Sequence, residues 1–304
     1  MVLAGAIGMK TLGIITTTFN RAYCIHNVYE SLKRQENTDF MWLVVDDGSN
    51  DNTRELIEQF QNEGVVEIGY IYQENMGMHG ARNTAYNYIK TEINIIIDSD
   101  DYLADNAVAY IIDFWNKNKN AGIAGIIALN SDFQGKIIGT LLPENLTTCT
   151  VTDLFDKYKA KGDKKLIYRS DVAVQYPYPI FEGEKFFPPS YKFRLIDMNY
   201  KMLLMNKVVC RVDYNENSMT FDKINQYRKC AKGFAFFRNE MIKISKEPNY
   251  IIKETIHYIA ESLLAGDNDF VRKSYKKLYT LLCLPVGISL YYYLKHTKRK
   301  WIKI

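Results

Sequence analysis

The polarity pattern of the first hundred residues switches between two periods. Short apolar runs rich in β-branched residues recur at positions 12–17, 40–45, 65–72 and 93–97. Each has strand length and each ends in polar residues. Between them the apolar positions fall three and four apart, with Ile25, Val28, Tyr29 and Leu32 in one segment and Leu56, Ile57 and Phe60 in the next. That is the spacing of a helix laid on a sheet. A further helix is expected to begin near Ala81-Arg82-Asn83, after the glycine-bearing loop 75–80. Strands alternating with helices predict a doubly wound, mainly parallel α/β sheet.

The second half is less regular. A helix is expected over 107–115, a strand over 122–129, a helix over 151–160 and extended chain over 165–169. Residues 176–190 form a loop rich in proline and aromatic residues that carries Glu182 and Glu184. From residue 221 the spacing of Ile224, Tyr227, Cys230 and Phe234 is helical, and it continues through 251–264 and 270–282. The resulting division is a sheet domain over 1–220, with halves at about 9–105 and 106–220, and a helical appendage over 221–304.

Charge changes the picture only at the carboxyl end. The net charge of +4 on 304 residues gives no reason to expect nucleic acid as a partner. Lys295, Lys298, Arg299, Lys300 and Lys303, however, crowd the last ten residues. They follow an apolar run over 278–294 that contains Pro285 and ends in Tyr291-Tyr292-Tyr293. This run falls short of the roughly 20 residues a span requires, and Pro285 is expected to break its helix. Tyrosines and Trp301 beside lysines suit a membrane interface, or a solvated end of a packed helix. The expected location is cytoplasmic, peripheral on the inner face of the cell membrane. Residues 1–8 carry no basic stretch before their apolar positions, so no secretion signal is read there. Five cysteines without Cys-x-x-Cys spacing and four histidines without ligand spacing argue against a disulfide framework or a zinc site and suit a reducing compartment.

The candidate chemistry is acidic. Two strands end in carboxylates: Asp46-Asp47-Gly48-Ser49 after the second and Asp98-Ser99-Asp100-Asp101 after the fourth. Ligands of open α/β sheets bind at the carboxyl ends of strands, and alternation along a strand would turn Asp98 and Asp100 to one side. Hard divalent ions favour carboxylate and phosphate oxygens. The plainer reading is a polar turn leading to a helix cap. Arg82 reads either as a phosphate contact or as an exposed arginine of a first helical turn.

Four segments together resemble the family 2 glycosyltransferases of GT-A fold, of the bacterial surface-polysaccharide type. They are Thr16-Thr17-Thr18-Phe19-Asn20-Arg21, Val44-Val45-Asp46-Asp47-Gly48-Ser49, Asn75-Met76-Gly77 with Ala81-Arg82-Asn83, and Asp98-Ser99-Asp100-Asp101. The resemblance implies a nucleotide-sugar donor, expected to be UDP-linked, a Mn²⁺ or Mg²⁺ ion, inversion at the anomeric carbon, and a glycan or lipid-linked acceptor. By position it places Thr17, Phe19 and Asp47 around the donor base, Arg82 near the pyrophosphate and Asp98 near ribose or sugar, with Arg21 a further donor-binding residue. It makes Asp100 the metal ligand, with Asp101 as substitute. Relatives often carry the general base as a Glu-Asp pair where this chain has Pro189-Ser190. Glu184 is therefore the first candidate for the base and Glu182 the second; Arg194 is an acceptor contact or a surface arginine. Where relatives can supply a metal-binding histidine, this chain offers Glu216 or Asn217. Two other readings stay open. A nucleotidyltransferase usually has a glycine-rich loop after its first strand, and positions 17–21 hold no glycine. A catalytically inactive family member would bind only a nucleotide or a partner.

Overall fold

The computed structural model describes residues 10–212 and 223–297; Glu216, Asn217 and the tail from Lys298 lie outside the described residues, as do residues 1–9. From the amino end the chain runs β1 (Leu12–Thr18), α1 (His26–Lys33), β2 (Phe40–Asp46), α2 (Thr53–Glu63), β3 (Ile68–Tyr72), α3 (Gly77–Tyr88) and β4 (Ile93–Ile96). It continues through β5 (Tyr102–Leu103), α4 (Ala107–Asn118), β6 (Ile123–Ser131), β7 (Thr148–Cys149), α5 (Val151–Asp156), β8 (Lys164–Arg169), α6 (Ser170–Ala173), α7 (Ser190–Ile196) and β9 (Lys201–Arg211). The remaining described elements are helices: α8 (Lys223–Lys229), α9 (Ala231–Ile244), α10 (Pro248–Leu264), α11 (Phe270–Lys273) and α12 (Lys277–His296). These elements fall into two compact units. One holds the chain up to Tyr178 and resumes at Ser190; the other takes Pro179–Pro189 together with the helices from α8 onward.

In the first unit the described strands lie in the order β3-β2-β1-β4-β8-β6-β9-β5, with β7 on β9. β3, β2, β1 and β4 are parallel, the doubly wound half that the polarity pattern predicts. β8 then enters antiparallel to both β4 and β6, which makes the sheet mixed. β1 and β2 read as nearly continuous apolar runs because both faces are covered: Leu12, Ile14, Ile15, Trp42, Val44 and Val45 are fully buried, whereas β3 is only partly covered. Tyr29 of α1 and Phe60 of α2 stack with ring centroids 4.0 Å apart over Trp42, whose indole N–H donates to Thr16 Oγ1 at 2.9 Å. β1, β2 and β4 run in register, with Ile15 opposite both Leu43 and Ile96, so their exit loops emerge at one edge.

In the second unit, α9, α10 and α12 enclose a core that includes Ile242, Ile259 and Cys283. Gly287 allows α12 to lie close on α10; a Cβ there would stand 2.6 Å from Cβ of Ile259. The Arg238 guanidinium bridges the buried Glu254 (2.8 Å) and Glu261 (3.3 Å), so each buried charge has a partner. The expected break at Pro285 does not occur, and α12 runs through it. Pro285 and Leu281, whose carbonyl loses an N–H partner, both lie on the exposed face. There the ring meets no packed side chain and solvent can serve the carbonyl. Among the described residues no helix is long and apolar enough to cross a membrane.

Candidate active site

The loops leaving β1, β2 and β4 are laced together by side chains. After β1, Asn20 takes a left-handed φ of 54°. Its N–H donates to Ser49 Oγ and its Oδ1 accepts the Asn50 N–H, both at 2.8 Å. The Ala22 N–H donates to Asp51 at 3.0 Å. The β2 loop is fastened in turn to the segment entering α3, because Asp47 Oδ1 accepts Gln73 Nε2 (2.7 Å) and the Met76 N–H (2.8 Å). Asp46 is fully buried and accepts from the Tyr70 hydroxyl (2.7 Å) and the Ser49 N–H (2.8 Å). It shapes the turn, while Asp47 ties two loops to each other.

The acidic run after β4 is a turn rather than strand, closed by the Asp101 N–H donating to the Asp98 carbonyl at 3.0 Å. Its carboxylates therefore diverge. Asp98 is about half open, with 51% of its side chain exposed, and accepts from Arg82 at 3.1 Å. Arg82 lies in the second turn of α3, not at its start, and is buried. Its Nε–H meets no acceptor among the described residues. Burial raises the Asp98 carboxyl, but Arg82 and Lys165 outweigh this and hold it below the usual carboxylate range. Asp100 is also open and stands 3.7 Å from Arg21.

Asp101 turns inward. It is buried 3.5 Å from the Lys165 ammonium and 3.8 Å from Cys210 Sγ. Burial, aided by the Asp98 and Asp100 charges and opposed by Lys165, pushes its carboxyl upward. Asp101, the substitute metal ligand of the sequence reading, pairs its carboxylate with Lys165. Arg21, Arg82 and Lys165 each face one aspartate of the run, so much of the repulsion expected of clustered carboxylates is met from within the chain. Among the described residues no group of three His, Cys, Asp or Glu side chains is placed to hold a metal ion. Asp98 and Asp100, both open on one turn, fit a hard cation that takes its other ligands from phosphate and water.

Thr17 is half-buried at the end of β1, and the Phe19 ring beyond it is 44% exposed, available for a planar group to stack on. Residues 13–163 match the protein family described as Glycosyl transferase family 2. They are a family 2 glycosyltransferase domain. One relative of this glycosyltransferase domain is the teichoic acid poly(glycerol phosphate) polymerase of Staphylococcus epidermidis, 33% identical over 109 residues, 36% of this chain and 15% of that protein. Another is the UDP-Glc:alpha-D-GlcNAc-diphosphoundecaprenol beta-1,3-glucosyltransferase WfgD of Escherichia coli, 28% identical over 138 residues, 45% of this chain and 53% of that protein. The chain thus spans from under a fifth to about half the length of these relatives. Among solved structures, Staphylococcus aureus TarS 1–349 in complex with UDP-GlcNAc aligns with a TM-score of 0.60 at 17% identity, over 93% of this chain and 81% of that one. The glycosyltransferase domain has the GT-A fold.

The two candidate bases sit in the second unit and differ in occupation. Glu184 is buried, and its two carboxylate oxygens accept the backbone N–H groups of Lys232 and Gly233, each at 2.8 Å, at the start of α9. A Cβ at Gly233 would stand 2.9 Å from Glu184 Oε2, so the glycine makes room for this cap. Burial raises the Glu184 carboxyl and the two N–H bonds offset part of that. Its geometry is that of a helix cap. Glu182 is exposed. Glu184→Ala is expected to leave two donors unmet and destabilise the protein by about 1–3 kcal/mol, read as a lowered thermal midpoint. An unchanged midpoint would deny the cap its importance.

The sequence reading missed Lys165 and Gln73. The sequence puts Lys165 in extended chain, but only the antiparallel register, Ile95 opposite Ile167, brings it beside the turn after β4.

Proposed function

We propose that the protein transfers a sugar, with inversion, from a UDP-linked donor to a hydroxyl of a glycan or lipid-linked acceptor during synthesis of a bacterial surface polymer. The observation that carries this reading is the buried Arg82 guanidinium. It faces the open Asp98 with an Nε–H still to be met, at the carboxyl edge of a family 2 domain. In this reading Arg82 binds diphosphate oxygens, Asp98 the ribose or sugar, and Thr17 and Phe19 the base. Asp47 holds the base-side loops in place, and Arg21 positions Asp100. Asp100 would hold Mn²⁺ or Mg²⁺, which when bound supplies positive charge for the leaving nucleoside diphosphate. Glu182 takes the acceptor proton, as the exposed carboxylate of its loop. The acceptor class rests on relatives named for a teichoic acid and for a diphosphoundecaprenol-linked sugar.

The test is hydrolysis of a panel of UDP-, GDP-, CDP- and dTDP-linked sugars, with and without Mn²⁺. Slow release of UDP from one of them is expected. Turnover confined to nucleoside triphosphates would mean a nucleotidyltransferase, and binding without any turnover an inactive family member.

The helical unit is proposed to rest on an anionic membrane surface. One face of α12 exposes Leu278 (67%), Leu281 (52%), Leu282 (72%) and Val286 (55%), and the helix contains no acidic residue. Lys273, Lys276 and Lys277 precede or open it and Lys295 lies near its end, so the charge around the stripe complements anionic lipid. Binding to anionic vesicles is expected at low salt, with partial release at high salt and loss in the double variant L282E/V286E. Binding indifferent to lipid charge and salt would refute the interfacial mode. Concentration-dependent dimerisation through this face, without vesicle binding, would replace the membrane by a second copy.

A further inference from the structure

Lys192 of α7 is a buried ammonium that none of the chemistry above uses. It is 1% exposed, and among the described residues no carboxylate pairs with it. Its Nζ donates to the carbonyls of Ala173 (2.7 Å) and Tyr176 (2.6 Å). The rings of Tyr86 and Tyr178 cover it at 4.1 and 5.0 Å from their centroids. An ammonium without a counter-ion is costly to bury, so its persistence calls for a ligand-side reason. The same two tyrosines border Arg82. Tyr178 is also locked to α3 one residue from Arg82: its N–H donates to Asn83 Oδ1 (2.8 Å) and its carbonyl accepts Asn83 Nδ2 (2.7 Å).

We propose that Lys192 is a positioning residue for the donor diphosphate. It ties the Ala173–Tyr178 segment to α3, so that Arg82 is presented to Asp98, and it places a second buried positive charge behind Arg82. This inference rests on the nucleotide-sugar reading above. The groups facing Lys192 are Arg82 and Tyr86 of α3 and Tyr178; Tyr168 of β8 lies beside both tyrosines. Burial keeps the phenols above their ordinary value. Burial, with Arg82, pulls the Lys192 ammonium down to about 7. The proton on Lys192 therefore becomes conditional near neutrality, and a bound dianion favours it. Donor affinity should fall as pH rises through that region.

The experiment measures UDP-GlcNAc binding by calorimetry from pH 6 to 9 for the wild type, K192Q and K192M, with thermal melts alongside. The diphosphate diester of this probe holds its charge across that range. K192Q keeps donors for the two carbonyls and loses the charge; K192M loses both. Near pH 6 the expected loss in K192Q is about tenfold, the size of one charge felt through an effective dielectric of about 20. By pH 9 the wild-type and K192Q curves should converge. Asp101 contributes alike to both curves, so their difference isolates Lys192. If both variants melt out, wild-type binding near pH 8 should still take up protons, measured in buffers of different ionisation enthalpy. Parallel curves for wild type and K192Q, or no proton uptake, overturn the role of Lys192 and leave the donor reading standing. Failure of the wild type to bind UDP-GlcNAc or any sugar nucleotide of the panel overturns the donor reading itself.

Discussion

Asp100→Asn is expected to lower sugar transfer by about 10²–10³-fold at saturating donor, the loss seen when one preorganised charge is removed from a developing leaving group. The substitution is nearly isosteric and Asp100 is open to solvent, so the fold should be unaffected. Two causes are separable. If Asp100 holds a cation, the residual rate should need more Mn²⁺ to saturate than the wild-type rate does. If it serves only to place Arg21, 3.7 Å away, then Arg21→Ala should cost as much, and the double variant no more than either single one. The measurement is initial nucleoside diphosphate release across metal concentrations, with melting curves as control. Activity within twofold of wild type would remove Asp100 from the leaving-group side.

Glu182→Gln is expected to reduce turnover by roughly 10²–10⁴-fold, the usual worth of a general base, with the KM for donor close to wild type. Glu184→Gln gives the contrast. It keeps an acceptor for one of the two α9 N–H groups and should lower the thermal midpoint more than it lowers turnover. A larger turnover defect at Glu184 than at Glu182 would restore the base to the capping residue. Turnover preserved in both would place the base outside this loop. Steady-state kinetics with the acceptor varied at fixed donor distinguish these outcomes, because a base acts in the transition state and leaves ground-state donor binding alone.

What could be read from the sequence followed from burial. β1, β2 and β4 were legible because strands covered on both faces are mostly apolar and β-branched, with few polar positions such as Thr16 and Asn94 inside them. The loops after β2 and β4 were legible because their acidic residues stand at strand ends, whereas the loop after β1, Phe19-Asn20-Arg21, is marked only by its place in the family pattern. β9 was not. Its run of Lys201 to Arg211 is broken at Asn206-Lys207, where its pairing with β6 shifts register, so neither period 2 nor period 3.6 survives. The helix expected over 151–160 stops at Asp156, and Lys159 and Gly162 then take positive φ. At the site, what the sequence left out has one cause: partners distant in sequence. Asp101 looked like a ligand because Lys165, 64 residues on, has no sequence signal beside it. The capping contact of Glu184 was hidden because the Lys232 N–H it accepts lies 48 residues later.

That last separation bears on how the chain is made. The Pro179–Pro189 excursion belongs to a unit whose helices follow much later. Phe181 and Phe187 therefore leave the ribosome before Phe236, against which both rings finally lie. At about 5–20 residues per second the gap lasts roughly 2–10 s. Through that interval two aromatic side chains and a carboxylate destined for burial are on display to whatever binds nascent chains. A chain ended ahead of α8 would never close the gap. Trimming the protein to its sheet would thus yield a sticky fragment rather than a minimal catalyst, and the helices act as the late-arriving half of a clasp.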